Sequence, residues 1–73
     1  MQLEIEKIKK NISRNLRKFR NDKQLSQLSV SENIGLDIRV YQRLESDTPP
    51  DFRISTLLKI LNYFQISFEE LIK

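Results

Sequence analysis

The single glycine of this 73-residue chain, Gly35, lies between two short helical patterns. The segment QLSVSEN can form one helix, and IRVYQRLES, which follows Asp37, can form another. Glycine readily takes the left-handed backbone conformation that often ends a helix, because it has no Cβ atom. A short helix, a tight glycine turn and a second helix make up a helix-turn-helix. The spacing therefore predicts this motif over about residues 26–46.

Three helix starts carry the same pair of signals, a capping side chain and flanking apolar residues. Ser26, Asp37 and Ser67 each follow an apolar residue and precede another by four positions. This pattern is typical of an N-cap accompanied by a hydrophobic staple. It predicts helices that begin at about residues 27, 38 and 68.

Two further helices are predicted from apolar residues at helical spacing. One stripe runs along residues 5–19, and a second covers residues 54–64, after Pro49 and Pro50 interrupt the chain. No segment alternates between apolar and polar residues for long, so we expect no sheet. The predicted fold is all-α, a compact five-helix bundle in a single domain over residues 1–73, with residues 1–11 as an N-terminal helical extension. The predicted helices cover about residues 3–22, 27–33, 38–46, 54–64 and 68–72.

The composition excludes several kinds of chemistry. The chain has no cysteine and no histidine, and it has no glycine-rich loop that could hold a phosphate. Disulfides, the usual zinc sites and His-dependent nucleophiles therefore cannot form. We expect no enzymatic activity, no cofactor and no metal. Since no apolar run approaches the roughly 18 residues that span a membrane, we also expect a cytoplasmic protein.

Charge and size both favour binding partners. Residues 1–25 carry eight Lys/Arg and three Asp/Glu, net +5, whereas residues 26–73 carry five and seven, net −2. A basic first helix is compatible with nucleic acid. A chain of this length buries only about 60% of the surface that unfolding exposes, so self-association would help to stabilise it.

The helix after Gly35 has two chemically distinct faces. At 100° per residue, Ile38, Arg39, Gln42 and Arg43 share an outer face, while Val40, Tyr41 and Leu44 share an inner apolar one. Arginine can contact guanine through two hydrogen bonds, glutamine can contact adenine, and isoleucine can touch a thymine methyl group. The outer face therefore suits base reading in a major groove, although such a face on a short helix is often only solvated.

The order of these segments resembles the Xre/Cro family of helix-turn-helix regulators, which includes the lambdoid phage repressors. The resemblance lies in LRKFRNDKQLSQ, LSVSENIGLD, YQRLES and LLKILNYFQISFEEL, in that order. It implies a bacterial or phage-encoded five-helix protein that binds operator DNA as a homodimer. The family often has glycine just after the glutamate motif and before the last helix, where this chain has Asp47 and Gln65.

The resemblance also implies roles for individual residues. Arg20 and Glu45 match a structural ion pair. The other roles are base contacts by Ile38, Arg39, Gln42 and Arg43, phosphate contacts by Gln27, Ser46, Thr48 and Arg53, and a dimer interface with Phe68, Leu71 and Ile72.

Three functions stay open at this point. The first is a sequence-specific, dimeric regulator, most simply a repressor of a palindromic operator. The second is a protein-interaction module such as an antitoxin, with a toxin as partner, because either Leu28 or the Ile5/Ile8 stripe could be a docking surface. The third is RNA binding, which the sequence disfavours because its aromatic residues mostly fall on apolar stripes.

Overall fold

The computed structural model describes the backbone of residues 2–73 and the side chains of residues 4–73. Met1, the first residue of the predicted domain, lies outside this range. The described residues form five helices and no strand, which confirms the predicted all-α fold. The helices are α1 (Gln2–Asp22), α2 (Gln27–Ile34), α3 (Ile38–Leu44), α4 (Ile54–Phe64) and α5 (Phe68–Ile72).

The predicted N-caps form at three of the four later helices. Ser26 Oγ accepts a hydrogen bond from the third backbone N–H after it, at 3.0 Å. Asp37 Oδ1 accepts from the second, at 2.8 Å. Ser67 and Glu70 form a reciprocal capping box, with distances of 2.9 and 3.1 Å. The predicted helix starts at residues 27, 38 and 68 are confirmed, because each depends on a cap that is local in sequence.

Two helices end in a left-handed residue. Gly35 has φ 76° and ψ 34°, and its N–H donates to the carbonyl of Glu32. Gln65 takes a similar conformation after α4, with φ 56° and ψ 48°. An ordinary residue is strained there because its Cβ crowds the backbone. The chain thus makes this second turn without the glycine that would suit it.

The core is formed by buried apolar residues from all five helices. α1 packs along α5, while α2 packs against both α3 and α4. Leu16, Tyr41 and Leu71 are completely inaccessible to solvent. The buried apolar residues are Ile12, Leu16, Val30, Ile34, Tyr41, Leu44, Ile60, Phe64 and Leu71.

Two predicted details are corrected. α3 ends at Leu44 and not at about residue 46; Glu45 follows it as the C-cap, with its side chain buried. Leu71, predicted in a dimer interface, is 0% exposed. It holds α5 against α1 from within and offers no surface to a second molecule. In residues 2–73, none of the helices is apolar enough over sufficient length to cross a membrane.

Candidate nucleic-acid interface

The outer face of α3 presents polar side chains to solvent. Arg39, Gln42 and Arg43 are exposed, and Ile38 at the start of the helix is half-buried. The Asp37 cap fixes the first turn of α3, and buried Tyr41 and Leu44 hold its opposite side on the core. This seven-residue helix is too short to be stable by itself, so packing must set its orientation. The structure thus brings the four predicted base contacts together, three of them fully exposed.

Val40 differs from the sequence prediction. It was expected on the inner apolar face, but 43% of its surface is exposed. Val40 lines an open depression between α3 and the segment that leads into α4, together with Leu36, Pro50 and Arg53. The apolar side of α3 is therefore covered only in part, because the loop after α3 passes beside this residue without closing over it.

A buried ion pair connects α1 to the end of α3. Arg20 Nε lies 2.8 Å from Glu45 Oε2, and Arg20 Nη2 lies 3.0 Å from Oε1. A third donor of the same guanidinium, Nη1, reaches the carbonyl of Leu25 at 2.8 Å. The Glu45 side chain is 1% exposed and that of Arg20 is 14% exposed. This two-pronged geometry fixes both the distance and the angle between the helices.

The ion pair changes the acidity of its members. Burial opposes ionisation of Glu45, but hydrogen bonds from Arg20 and Gln27 hold the pKa of its carboxyl below the ordinary value. Burial raises the pKa of Tyr41, and the nearby Glu45 carboxylate adds to the effect. The Tyr41 hydroxyl is itself buried and has no partner in hydrogen-bonding geometry among the described residues. Glu45 is thus held as a carboxylate inside the protein.

Glu45 also connects to the outer face of α3 through one glutamine. Gln27 Nε2 donates to Glu45 Oε1 at 3.1 Å, and Gln42 Nε2 reaches Gln27 Oε1 at 3.4 Å. The chain of contacts runs from Arg20 through Glu45 and Gln27 to Gln42, and we call it the Glu45 relay. The family resemblance already implied that Gln27 buttresses the recognition helix, but not that it does so beside Glu45, because residues of three helices must fold together before these contacts exist.

The loop after α3 holds the other predicted phosphate contacts. Thr48 and Arg53 are exposed. Ser46 is half-buried, and its hydroxyl donates to the carbonyl of Arg43 at 2.8 Å. Arg53 occupies the N-cap of α4 without a capping hydrogen bond from its side chain. The first N–H groups of α4 therefore lack a side-chain cap and are free to donate hydrogen bonds to an anion.

The predicted dimer residues have different environments. Phe68 is 48% exposed and Ile72 is half-buried, in contrast to Leu71. Phe68 lines an apolar groove with Ile5 and Ile8 of the N-terminal extension. In the part of the chain that the structure describes, no three Asp or Glu side chains are placed to hold a metal ion.

The chain was compared with known families and proteins. A family model described as the Cro/C1-type HTH DNA-binding domain matches residues 15–73. This range covers the last part of α1 and the whole of α2, α3, α4 and α5. No curated protein and no solved structure matches the chain.

Proposed function

The chain belongs to the Cro/C1-type helix-turn-helix DNA-binding family, and we propose that it binds a short palindromic operator as a homodimer and represses transcription. One observation carries this proposal. Arg39, Gln42 and Arg43 are exposed together on the outer face of α3, where their donors can meet base edges. Ile38, half-buried at the start of the same helix, adds an apolar contact for a thymine methyl group.

The Glu45 relay supports a positioning role beside this face. Gln27 stands at the first position of α2 and contacts both Glu45 and Gln42. We assign it a contact to a phosphate and a second role, that of holding Gln42 toward the groove. Ser46, Thr48 and Arg53 flank the other end of α3 and would contact phosphates there, aided by the uncapped start of α4.

A dimer would use the exposed part of α5. Phe68 is a large apolar side chain that is half-exposed, and Ile72 lies one turn further along the same helix. Two-fold symmetry would place two α3 helices about 34 Å apart, one turn of DNA. The operator would then be a palindrome with half-sites at that spacing.

The first experiment is selection of bound duplexes from a random DNA pool, followed by titration of the selected sequence at two salt concentrations. A two-fold symmetric consensus with half-sites about one turn apart is expected, with binding that weakens steeply as salt rises. If no sequence is enriched, the proposal of a sequence-specific regulator is wrong.

Two variants then test the assigned roles. Arg43→Ala should lose about 1–3 kcal/mol of specific affinity and relax preference at one base position. Gln27→Ala should weaken binding more evenly across sequences than Arg43→Ala, because it loses a phosphate contact, and any loss of base preference should be confined to the position that Gln42 reads. If the two variants behave alike, or neither alters binding, the assignment of α2 and α3 residues to phosphate and base contacts is refuted.

An antitoxin-like interaction module is the second candidate. Leu28 of α2 is 53% exposed and Ile5 of α1 is 54% exposed, so each offers an apolar side chain to a partner protein. These residues would contact a partner protein such as a toxin. A small reading frame beside the gene, whose product co-purifies with the wild-type chain and not with Leu28→Asn, would favour this function. The two functions can coexist in a protein that represses its own operon.

A further inference from the structure

Three cations of α1 surround a depression beside the loop that follows α3. Lys10, Arg14 and Arg17 recur at spacings of four and three residues and so share one side of the helix. The depression is open to solvent and has a volume of about 330 Å³. Ser13 lies at the bottom of the depression. It is 1% exposed, and its Oγ donates a hydrogen bond to the carbonyl of Ser46 at 2.7 Å. We call these three cations the α1 triad.

The α1 triad lies next to the DNA-reading helix. Ser46, in the wall of the depression, follows α3 by two positions, and its hydroxyl donates to the carbonyl of Arg43 at 2.8 Å. The depression therefore begins within one helical turn of a proposed base contact. A duplex seated on α3 would bring its backbone close to this end of the helix.

The dimensions of the row suit a nucleic-acid strand. Residues 10–17 span seven steps of α1, which at about 1.5 Å per residue is about 10 Å. One DNA strand carries a phosphate about every 3.4 Å along the duplex axis, and because the strand winds around that axis its phosphates are farther apart than this, so three is an upper limit for a row of about 10 Å. The described basic residues nearest to the depression belong to α1, outside the helix-turn-helix itself.

We propose that the α1 triad binds backbone phosphates of the same duplex, outside the base pairs that α3 reads. The inference rests on the proposed DNA-binding function and extends its contact surface to the first helix. Lys10 and Arg14 are exposed, and the side chain of Arg17 is 42% exposed. All three can therefore reach a strand that passes over the depression.

Asp47 opposes this binding in the free protein. Its carboxylate lies 3.7 Å from Nη1 of Arg17 and is 94% exposed. An incoming phosphate would compete with Asp47 for the same guanidinium and would be repelled by its charge. Asp47→Asn should therefore tighten DNA binding, whereas loss of a triad cation should weaken it. Opposite effects from two neighbouring exposed residues cannot both come from damage to the fold.

The test uses the full chain and a labelled duplex of mixed sequence, about four helical turns long. Lys10→Gln, Arg14→Gln, Arg17→Gln and Asp47→Asn are titrated against it over a range of salt. Lys59→Gln is the matched control, since Lys59 is exposed in a separate depression beside Asn33 and Tyr63. Circular dichroism verifies that Arg14→Gln is folded, because Arg14 also donates to the carbonyl of Lys73 at 3.2 Å.

Each triad variant should reduce the slope of log affinity against log salt by about 0.9, the value for one phosphate contact. The affinity deficit of each variant should then shrink by about 3.5-fold between roughly 50 and 200 mM salt. Asp47→Asn should bind more tightly than the wild type, and Lys59→Gln should keep the wild-type slope. Unchanged slopes in the triad variants, or an equal change in Lys59→Gln, would overturn the inference.

The two proposals fail in different ways. If the α1 triad does not bind phosphate, its variants match Lys59→Gln on mixed-sequence DNA while selection still yields a consensus. If the protein does not read sequence, selection yields no consensus, and Arg43→Ala binds duplexes of different sequence with the same affinity. The slopes measured on mixed-sequence DNA would still decide the role of the triad.

Discussion

Replacing Glu45 should destabilise the protein more than any change to an exposed charge. The carboxylate is 1% exposed and accepts three hydrogen bonds, two from Arg20 and one from Gln27. Glu45→Met removes the charge and its acceptors but keeps an apolar side chain of similar length. The guanidinium of Arg20 then stays largely buried with one remaining partner, the carbonyl of Leu25.

The expected cost follows from this burial. Removing one member of a buried ion pair typically costs about 3–5 kcal/mol, because the other charge is left uncompensated. The Arg20 side chain is 14% exposed and keeps one hydrogen bond, so we expect the low end, about 3 kcal/mol. At roughly 0.05–0.15 kcal/mol per residue, the whole domain is stable by only about 4–11 kcal/mol. The single variant should therefore lose a large fraction of its stability.

A double-mutant cycle separates the pair from its surroundings. Arg20→Met, Glu45→Met and the double variant are unfolded in urea and followed by far-UV circular dichroism. The double variant should lie within about 1 kcal/mol of the wild type, because apolar replacement of a whole buried pair is often neutral. Asp47→Ala breaks the exposed pair with Arg17 and serves as control, with an expected loss below about 1 kcal/mol.

The result that refutes this reasoning is additivity. If the double variant loses the sum of the two single losses, Arg20 and Glu45 are not coupled and the ion pair does not connect α1 to α3. A Glu45→Met variant that unfolds at the same urea concentration as Asp47→Ala would likewise show that burial of the ion pair does not determine how much stability is lost when it is broken.

The remaining predictions concern the ends of two helices and the stability of the protein at acidic pH. Gly35→Ala should cost about 1 kcal/mol in urea unfolding through backbone strain alone, since φ is +76° and nothing lies within 4 Å of an added Cβ. Gln65→Gly should instead stabilise by about 0.5–1 kcal/mol, because φ is 56° there; a loss would mean that its hydrogen bond to Asn62 outweighs the strain. The pKa of Glu45 is lower in the folded protein than its ordinary value of 4.5. The ionised carboxylate therefore contributes fully to the free energy of unfolding above about pH 4.5, and this contribution is lost as pH falls through the folded-state pKa. Urea unfolding at several acidic pH values should therefore show a steeper loss for the wild type than for Glu45→Met, and equal slopes would contradict the assignment.

Local signals explain which parts of the fold could be predicted. The starts of α2, α3 and α5 depend on caps whose donor and acceptor lie at most three residues apart, so the sequence displays both partners. The ion pair of Glu45 with Arg20 joins residues that are 25 positions apart, and the spacing of neighbouring residues does not display such a contact.

Surface exposure was harder to predict than helix position. A helical projection placed Val40 on the buried side of α3, but burial also requires a neighbour, and the loop before α4 leaves this residue 43% exposed. Leu71 shows the reverse case. It was predicted to contact a second molecule, but α5 packs against α1 and Leu71 is fully buried within the same chain. The identity of any partner depends on a second molecule and cannot be read from the spacing of one chain.

The Glu45 relay has a consequence for the entropy of binding. Gln42 already has a hydrogen-bond partner in Gln27, so part of its rotamer freedom is lost when the protein folds. Within residues 4–73, no intramolecular side-chain hydrogen bond holds Arg39 or Arg43. Ordering such a side chain at an interface costs about 0.5–1.5 kcal/mol. In the proposed complex, the two arginines would therefore lose more side-chain freedom on contact than the glutamine between them, which a 3.4 Å hydrogen bond to Gln27 already restrains.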